Sequence, residues 1–304
     1  MKLSADQRQA LEKIIKWLRT PNRSPNYFTF GGYAGTGKTT LTALLRQILH
    51  KKNPKLKVAL VSYTGKAARV LKSTLIQQEA SYKQDTVGTI HSLIYEPVVN
   101  SKSDIVGWNK KQKVDVKLII VDEASMVNYD IWQDLLSFDI PILAIGDHGQ
   151  LPPIEGKFNL MKKPNVKLEK IHRQAENNPI IKLSIQARKT GKVLVGNFGP
   201  HIEKLDQSSM DTQEKIQDLL KNFNQQTMIL TGYNSTRVKI NEFIRQHKFF
   251  DPSPEPMVGD RVICLRNNHA KHIYNGMLGE ITFLESINEN HFYAEIKLDE
   301  NQTY

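Results

Sequence analysis

Eight residues, Gly32-Tyr33-Ala34-Gly35-Thr36-Gly37-Lys38-Thr39, satisfy the pattern G-x-x-x-x-G-K-[ST]. Glycines in such a loop take backbone conformations closed to other residues. Successive N–H groups can then turn inward at the positive end of the following helix and bind phosphate oxygens. In that arrangement the Lys38 ammonium reaches the β and γ phosphates of a nucleoside triphosphate, and the Thr39 hydroxyl ligates Mg²⁺. The residues expected to contact the nucleotide are Gly32, Ala34, Gly35, Thr36, Gly37, Lys38, Thr39 and Thr40. By composition alone the octet occurs in roughly one chain of this length in a hundred.

Three further positions fit a hydrolytic site. Asp122-Glu123 closes the apolar run Lys117–Val121; Asp122 suits the Mg²⁺ shell and Glu123 the polarisation of an attacking water. Two acids ending a strand are ordinarily solvated, and it is Lys38 and Thr39 upstream that favour the catalytic reading. Gln150, in Gly146-Asp147-His148-Gly149-Gln150-Leu151-Pro152-Pro153, follows the next apolar run. A neutral amide there can hydrogen-bond either the γ-phosphate or the water, and so report hydrolysis to its surroundings. Arg173, in Ile171-His172-Arg173-Gln174, is placed to act as an arginine finger if two domains face each other across the nucleotide; otherwise it is a surface or salt-bridge arginine.

An α/β frame is needed to hold these groups. Ser4 with Gln7 forms a capping box, opening a helix with Leu11, Ile14, Ile15 and Leu18 on one face, and Pro21 and Pro25 end it. Tyr27–Phe30 reads as a strand, residues 38 to about 50 as a helix, Val58–Tyr63 as a buried strand, and residues 65 to about 78 as a helix capped by Thr64. Lys117–Val121 and Ile140–Ile145 read as strands buried on both faces, with their polar residues at the carboxyl end where ligands of open parallel sheets bind. Tyr95–Val99 and Ile105–Trp108, around the polar turn Asn100–Asp104, suggest an inserted β-hairpin at about 95–114. Further on, helices are expected at about 179–189, around Ile216–Phe223 and at about 235–247, with a strand at Met228–Thr231. Asp251–Pro256 reads as a stiff linker. Strands near 258–265, 277–284 and 291–298, with the turn dipeptide Asn275-Gly276, suggest a small β-barrel.

At 304 residues the chain fits two or three domains. Its 42 Lys and Arg against 31 Asp and Glu give a net charge of +11, which suits a polyanionic partner such as nucleic acid. The single cysteine, Cys264, sits in an apolar run and cannot pair within the chain. No segment reaches the ~18 apolar residues of a membrane span and the amino-terminus has no apolar signal segment. A reduced, cytoplasmic setting with no membrane is expected.

Read in order, Leu3–Ala10, the phosphate loop, Ser62–Ala68, Thr89–Leu93, Val121–Met126, Gly146–Pro153 and Ile171–Gln174 form a series. In this series the chain resembles a superfamily 1 DNA helicase of the RecD/Dda type. The resemblance implies an ATP-driven motor moving 5′ to 3′ on single-stranded DNA, with two RecA-like domains closing on ATP and Mg²⁺. It implies that Gln7 reads adenine besides capping its helix, and that Gln150 and Arg173 contact the γ-phosphate. Thr64, Lys66, Thr89 and His91 would line the DNA path; the alternatives are a helix cap for Thr64, a solvated Lys66 and core packing for Thr89 and His91. The hairpin matches the place of a strand-separating pin with Trp108 and Pro97 as its wedge, although a hairpin tryptophan also packs against its own domain. Asn234 would touch DNA or cap a helix.

The implied organisation is a RecA-like domain at 1–163 carrying the pin, a partial RecA-like domain at 164–256, and an SH3-like barrel, normally inserted within the second motor domain, at 257–304. The T-x-H-x-x-Q-G segment and the final T-R segment expected after that barrel do not occur in this sequence. The expectation is therefore a motor completed by a second polypeptide or a C-terminal segment, working on single strands and single-strand/duplex junctions with replication or repair proteins. The alternative is a DNA-dependent ATPase or single-stranded DNA-binding module that does not unwind alone. A nucleotide or polynucleotide kinase lacks any sign of a phosphoacceptor pocket, and a relic loop would not need Glu123, Gln150 and Arg173 all in place.

Overall fold

The computed structural model describes residues 3–99, 105–151, 153, 158–168, 178–224, 226–249, 255–265, 273, 275–288 and 291–299. The chain divides into two units, Met1–Gln174 and Ala175–Tyr304.

The first unit is built on six parallel strands: β1 (Tyr27–Gly32), β2 (Val58–Ser62), β3 (Thr86–Thr89), β6 (Leu118–Asp122), β7 (Ile142–Gly146) and β8 (Val166–Leu168), in the order β3-β2-β6-β7-β1-β8. β2, β6 and β7 are buried at every position, as their unbroken apolar runs require of strands covered on both faces. The period of two divides them between two cores. Leu60, Ile120 and Leu143 pack with α1 (Ala5–Arg19), α2 (Lys38–Lys52) and α3 (Gly65–Gln77) through Leu11, Ile14, Leu41, Leu45 and Leu71. Val61, Ile119 and Ala144 pack on the other face with α4 (Ile90–Ile94) and α5 (Tyr129–Leu136) through Ile90, Ile94, Ile131 and Leu135.

The expected capping box is present: the Gln7 N–H donates to Ser4 Oγ and the Ser4 N–H to Gln7 Oε1. The Ala67 N–H donates to Thr64 Oγ1 at the start of α3. β3, α4, α5 and β8 went unread in the sequence. β8 pairs with β1, so the first unit runs on to Gln174, past the expected boundary at 163.

β4 (Tyr95–Val99) and β5 (Ile105–Lys110) pair antiparallel, with Tyr95 opposite Lys110 and Pro97 opposite Trp108. The turn expected at 100–104 lies outside the described residues.

In the second unit, α6 (Pro179–Thr190) ends on Gly191, whose φ of +68° suits glycine; β9 (Gly196–Gly199) pairs antiparallel with β10 (Ile202–Lys204), and α7 (Met210–Lys221) and α8 (Asn234–Phe249) follow. The strand expected at Met228–Thr231 does not form. Met228 is 80% and Leu230 86% exposed, and no partner strand meets them among the described residues. Strands exist by pairing, so an apolar run alone does not make one. The second unit, Ala175–Tyr304, takes in the expected barrel segment as well. β11 (Arg261–Ile263), β12 (Leu278–Asn288) and β13 (His291–Leu298) form an antiparallel sheet in that order. Residues 251–254 of the expected linker lie outside the described residues. No helix among the described residues is long and apolar enough to cross a membrane.

Candidate active site

The phosphate loop leaves the carboxyl end of β1 and enters α2 at Lys38. Gly35 and Gly37 have φ of +81° and +84°, and a Cβ on Gly37 would stand 2.6 Å from Gln7 Nε2. Gln7, only 6% exposed, donates from Nε2 to the Thr36 carbonyl at 3.0 Å, tying α1 to the loop. Thr36 Oγ1 donates to the Tyr33 carbonyl, and Lys38 Nζ donates to the Gly32 and Tyr33 carbonyls at 2.7 and 3.2 Å. The ammonium that the sequence assigns to the phosphates is thus tethered to the loop's own carbonyls.

β6 delivers Asp122 and Glu123. Asp122 is buried, and burial first, then the Glu123 carboxylate, push it up to about 6, against the Glu123 N–H that it accepts and the charge of Lys38. A hydroxyl at Thr39 and a carboxylate buried beside a lysine make an oxygen donor set of the kind that holds Mg²⁺ together with phosphate oxygens and water. The residues present fit that ion, which when bound would neutralise charge developing on the phosphates. Glu123 stands just past the strand in the left-handed region, φ +53° and ψ +40°, and is half-buried.

β7 delivers the third loop. Asp147, a buried carboxylate that sequence reading passed over, accepts the Ala34 N–H of the phosphate loop at 3.0 Å and the Gly149 N–H at 2.8 Å. Ser125 Oγ, two residues past Glu123, donates to Gln150 Oε1 at 2.9 Å. The glutamine loop is therefore hydrogen-bonded both to the phosphate loop and to the turn that follows the acidic pair, and Tyr33 packs on His148 with ring centroids 4.3 Å apart. Asp147 and Ser125 stood inside motifs already singled out by Gln150 and Glu123; which atoms they bond was not readable. Thr39 and Thr40 lie in the first turn of α2. Arg173 lies outside the described residues.

The residues assigned to a DNA path gather elsewhere on the first unit. Thr89 follows Gly88 at the end of β3, opposite Ser62 of β2; Thr64 caps α3 and Lys66 is exposed in its first turn. Thr89 also caps α4, accepting the Ser92 N–H. The His91 ring lies 5.5 Å from that of Tyr95 and 6.4 Å from those of Tyr63 and Trp108, and burial lowers its pKa. Trp108 touches its own domain through His91 yet remains 50% exposed, and Pro97 beside it is exposed. Asn234 is not a helix cap: it is the first residue of α8, and it is Tyr233 whose carbonyl accepts the Arg237 N–H.

The AAA domain family profile matches residues 2–227 of this chain. The chain belongs to that family. Its relatives include the RecBCD enzyme subunit RecD of Buchnera aphidicola subsp. Acyrthosiphon pisum, 24% identical over 91% of this chain and 59% of that protein. The ATP-dependent DNA helicase dda of Enterobacteria phage T4 is 26% identical over 86% and 60%, and the ATP-dependent RecD2 DNA helicase of Deinococcus radiodurans 33% identical over 49% and 20%. This AAA domain chain thus spans at most about 60% of those relatives. The Pif1 helicase from Bacteroides in complex with ADP-AlF3 and ssDNA has the same fold, with a TM-score of 0.54 at 21% identity over the whole of this chain and 74% of that one. The chain thus shares sequence with proteins named as RecD and Dda helicases, and its fold with a Pif1 helicase.

Proposed function

We propose that this chain is the ATP-hydrolysing core of a DNA helicase or translocase that moves 5′ to 3′ on single-stranded DNA in the cytoplasm. The observation that carries the reading is the convergence of Lys38, Asp122, Glu123 and Gln150 at the carboxyl ends of three adjacent strands, with Ser125 and Asp147 bonding their loops together. In this reading the Lys38 ammonium leaves the Gly32 and Tyr33 carbonyls for the β and γ phosphates, and Thr39 and Asp122 hold Mg²⁺. Glu123 takes the proton of the attacking water, and Gln150 senses the γ-phosphate. Arg173 supplies positive charge to the same phosphate, and Gln7, already bonded to the loop, reads adenine. Thr64, Lys66, Thr89 and His91 carry the strand, Trp108 and Pro97 part the duplex at a junction, and Asn234 adds a contact from the second unit.

Steady-state ATP turnover, with and without single-stranded DNA, tests this. Strong stimulation by the strand, abolished in Lys38→Ala, is the expected result. Turnover in Lys38→Ala equal to that of the native chain sinks the site, and turnover indifferent to DNA sinks the motor.

One observation favours the narrower reading of an ATPase that does not unwind alone. α6 and α8 bury no residue, and Leu219, Met228 and Leu230 are exposed. These apolar faces support completion of the second unit by another segment or polypeptide. Unwinding of a forked duplex by this chain without any addition would dismiss that reading.

A further inference from the structure

The amino ends of β3, β2 and β6, three adjacent strands, carry a group of lysines that the reading above does not use. Lys55 and Lys57 precede β2, Lys83 precedes β3, and Lys113 and Lys117 precede β6; all five are exposed. Hydrogen bonds draw the three segments together. The Lys117 N–H donates to the Lys57 carbonyl at 2.9 Å, and Gln84 Nε2 donates to the Pro54 carbonyl at 2.6 Å. Lys57 pairs with Asp115, whose carboxyl is held below the usual range by Lys57 first and by Lys113 and Lys117 as well. The last turn of α2 adds His50, Lys51 and Lys52 beside them, its ring stacked on Tyr82 at 3.6 Å.

Acidic groups do little to offset this charge. Asp115 lies within the group and the exposed Glu79 beside Tyr82 at its edge; Asp85, ahead of β3, is buried against Arg46, and Asp139, ahead of β7, accepts from Asn26 at the border. We propose that this lysine surface binds the phosphate backbone of duplex DNA, at the end of the sheet opposite the nucleotide and the expected single-strand path. β2 and β3 separate Lys57 and Lys83 at one end from Thr64 and Thr89 at the other, by roughly 20 Å of extended chain. One strand therefore separates two polyanion contacts.

The chemistry selects a duplex. Lysines are point charges that meet phosphates without reading sequence. Single-strand grooves add aromatic faces for bases to stack on, and the aromatic ring at this surface, Tyr82, is occupied between His50 and the Arg46 guanidinium. A protein partner would need an apolar centre. None of the large exposed apolar residues of the first unit falls in 51–57, 82–85 or 113–117.

The inference goes beyond the ATPase reading and does not rest on it. The test is equilibrium binding of a short blunt duplex, across a salt series, by the native chain and by a variant carrying Lys55→Gln, Lys83→Gln, Lys113→Gln and Lys117→Gln, with single-stranded-DNA-stimulated ATP turnover measured on both. The expected result is a loss of duplex affinity of about tenfold or more at low salt, with a salt slope shallower by about one per phosphate contact removed, and ATP turnover unchanged. Equal duplex affinity and slope in the two proteins overturns the proposal. So does a native chain that binds poly-glutamate as tightly as duplex, which would make the surface a dock for acidic protein, and so does a parallel loss of DNA-stimulated turnover, which would merge it with the single-strand path. Failure of the ATPase reading would show instead as absent stimulation in the native chain, with the difference in duplex binding intact.

Discussion

Lys38 donates two hydrogen bonds to carbonyls of its own loop, and these must break before it can serve a phosphate. Lys38→Ala therefore removes the phosphate clamp without emptying a core, and ATP turnover should vanish while a thermal melt shifts little. Glu123→Gln keeps the side chain's size in a left-handed backbone position and removes its basicity, so nucleotide binding should persist while hydrolysis stops; loss of binding in a fluorescent-nucleotide titration would assign Glu123 a structural role. Asp147 offers a sharper probe, because its two oxygens accept N–H groups from two different loops. Asp147→Ala removes the acceptor that ties the two loops together, at about 1 kcal/mol for each bond, since Ala34 and Gly149 are exposed and water can replace it. kcat/KM for ATP should fall at least tenfold while the affinity for single-stranded DNA holds.

The hairpin of β4 and β5 is gripped at its base. Tyr95 opens β4, Lys110 closes β5 opposite it, and both donate to Asp134 of α5. The Tyr95 hydroxyl and then Lys110 hold Asp134 below the usual carboxylate range, and burial and the Asp134 bond push Tyr95 up to about 12. A depressed carboxyl contributes its stabilisation above its unfolded pKa and loses it as pH falls through the folded value. The grip should thus hold at neutral pH and relax in acid, and Asp134→Asn should raise amide exchange in β4 and β5 at pH 7 as acid does in the native chain. His91 works in the same direction. Its pKa is lowered by burial, so the unfolded chain takes up its proton first, and stability should decline as pH drops below the ordinary histidine value of ~6.5. His91→Gln should flatten that part of the pH profile. Trp108→Ala, at a half-exposed ring, should leave stability nearly unchanged and slow strand separation at a fork if the ring is a wedge.

Across the molecule, one buried ion pair joins the helices of the first unit to its sheet. Arg46 is bidentate to Asp85 at 2.7 and 2.8 Å, both side chains are at most 1% exposed, and the guanidinium lies over the Tyr82 ring. Asp85 also accepts the Val58 N–H, so it fixes the start of β2. Removing one partner leaves a buried charge, and Asp85→Ala should cost about 3–5 kcal/mol in a denaturant titration; Asp85→Ala with Arg46→Met should recover much of it. Binding to single-stranded DNA should weaken steeply with salt, as the net charge of +11 requires if phosphate contacts dominate. Affinity flat from low to physiological salt would argue for another partner.

Legible from the residues alone were the phosphate loop and the three strands that carry the candidate catalytic groups. Glycine spacing, buried apolar runs and acids at strand ends are local signals, and each element they mark has one consistent way to bury itself. The resemblance to RecD and Dda helicases was legible for the same reason, since the motifs are short and ordered. The tertiary structure alone decided what depends on partners distant in the chain. β3 and β8 are too short, and β3 too polar, to be recognised until β2 and β1 offer them edges. Met228–Thr231 has the composition of a strand but no strand to pair with among the described residues. Arg46 and Asp85, 39 residues apart, read as ordinary surface charges until folding buries them face to face. Asp147 precedes Gln150 with no local sign of its role, and only the approach of β7 to β1 brings its carboxylate to the Ala34 N–H.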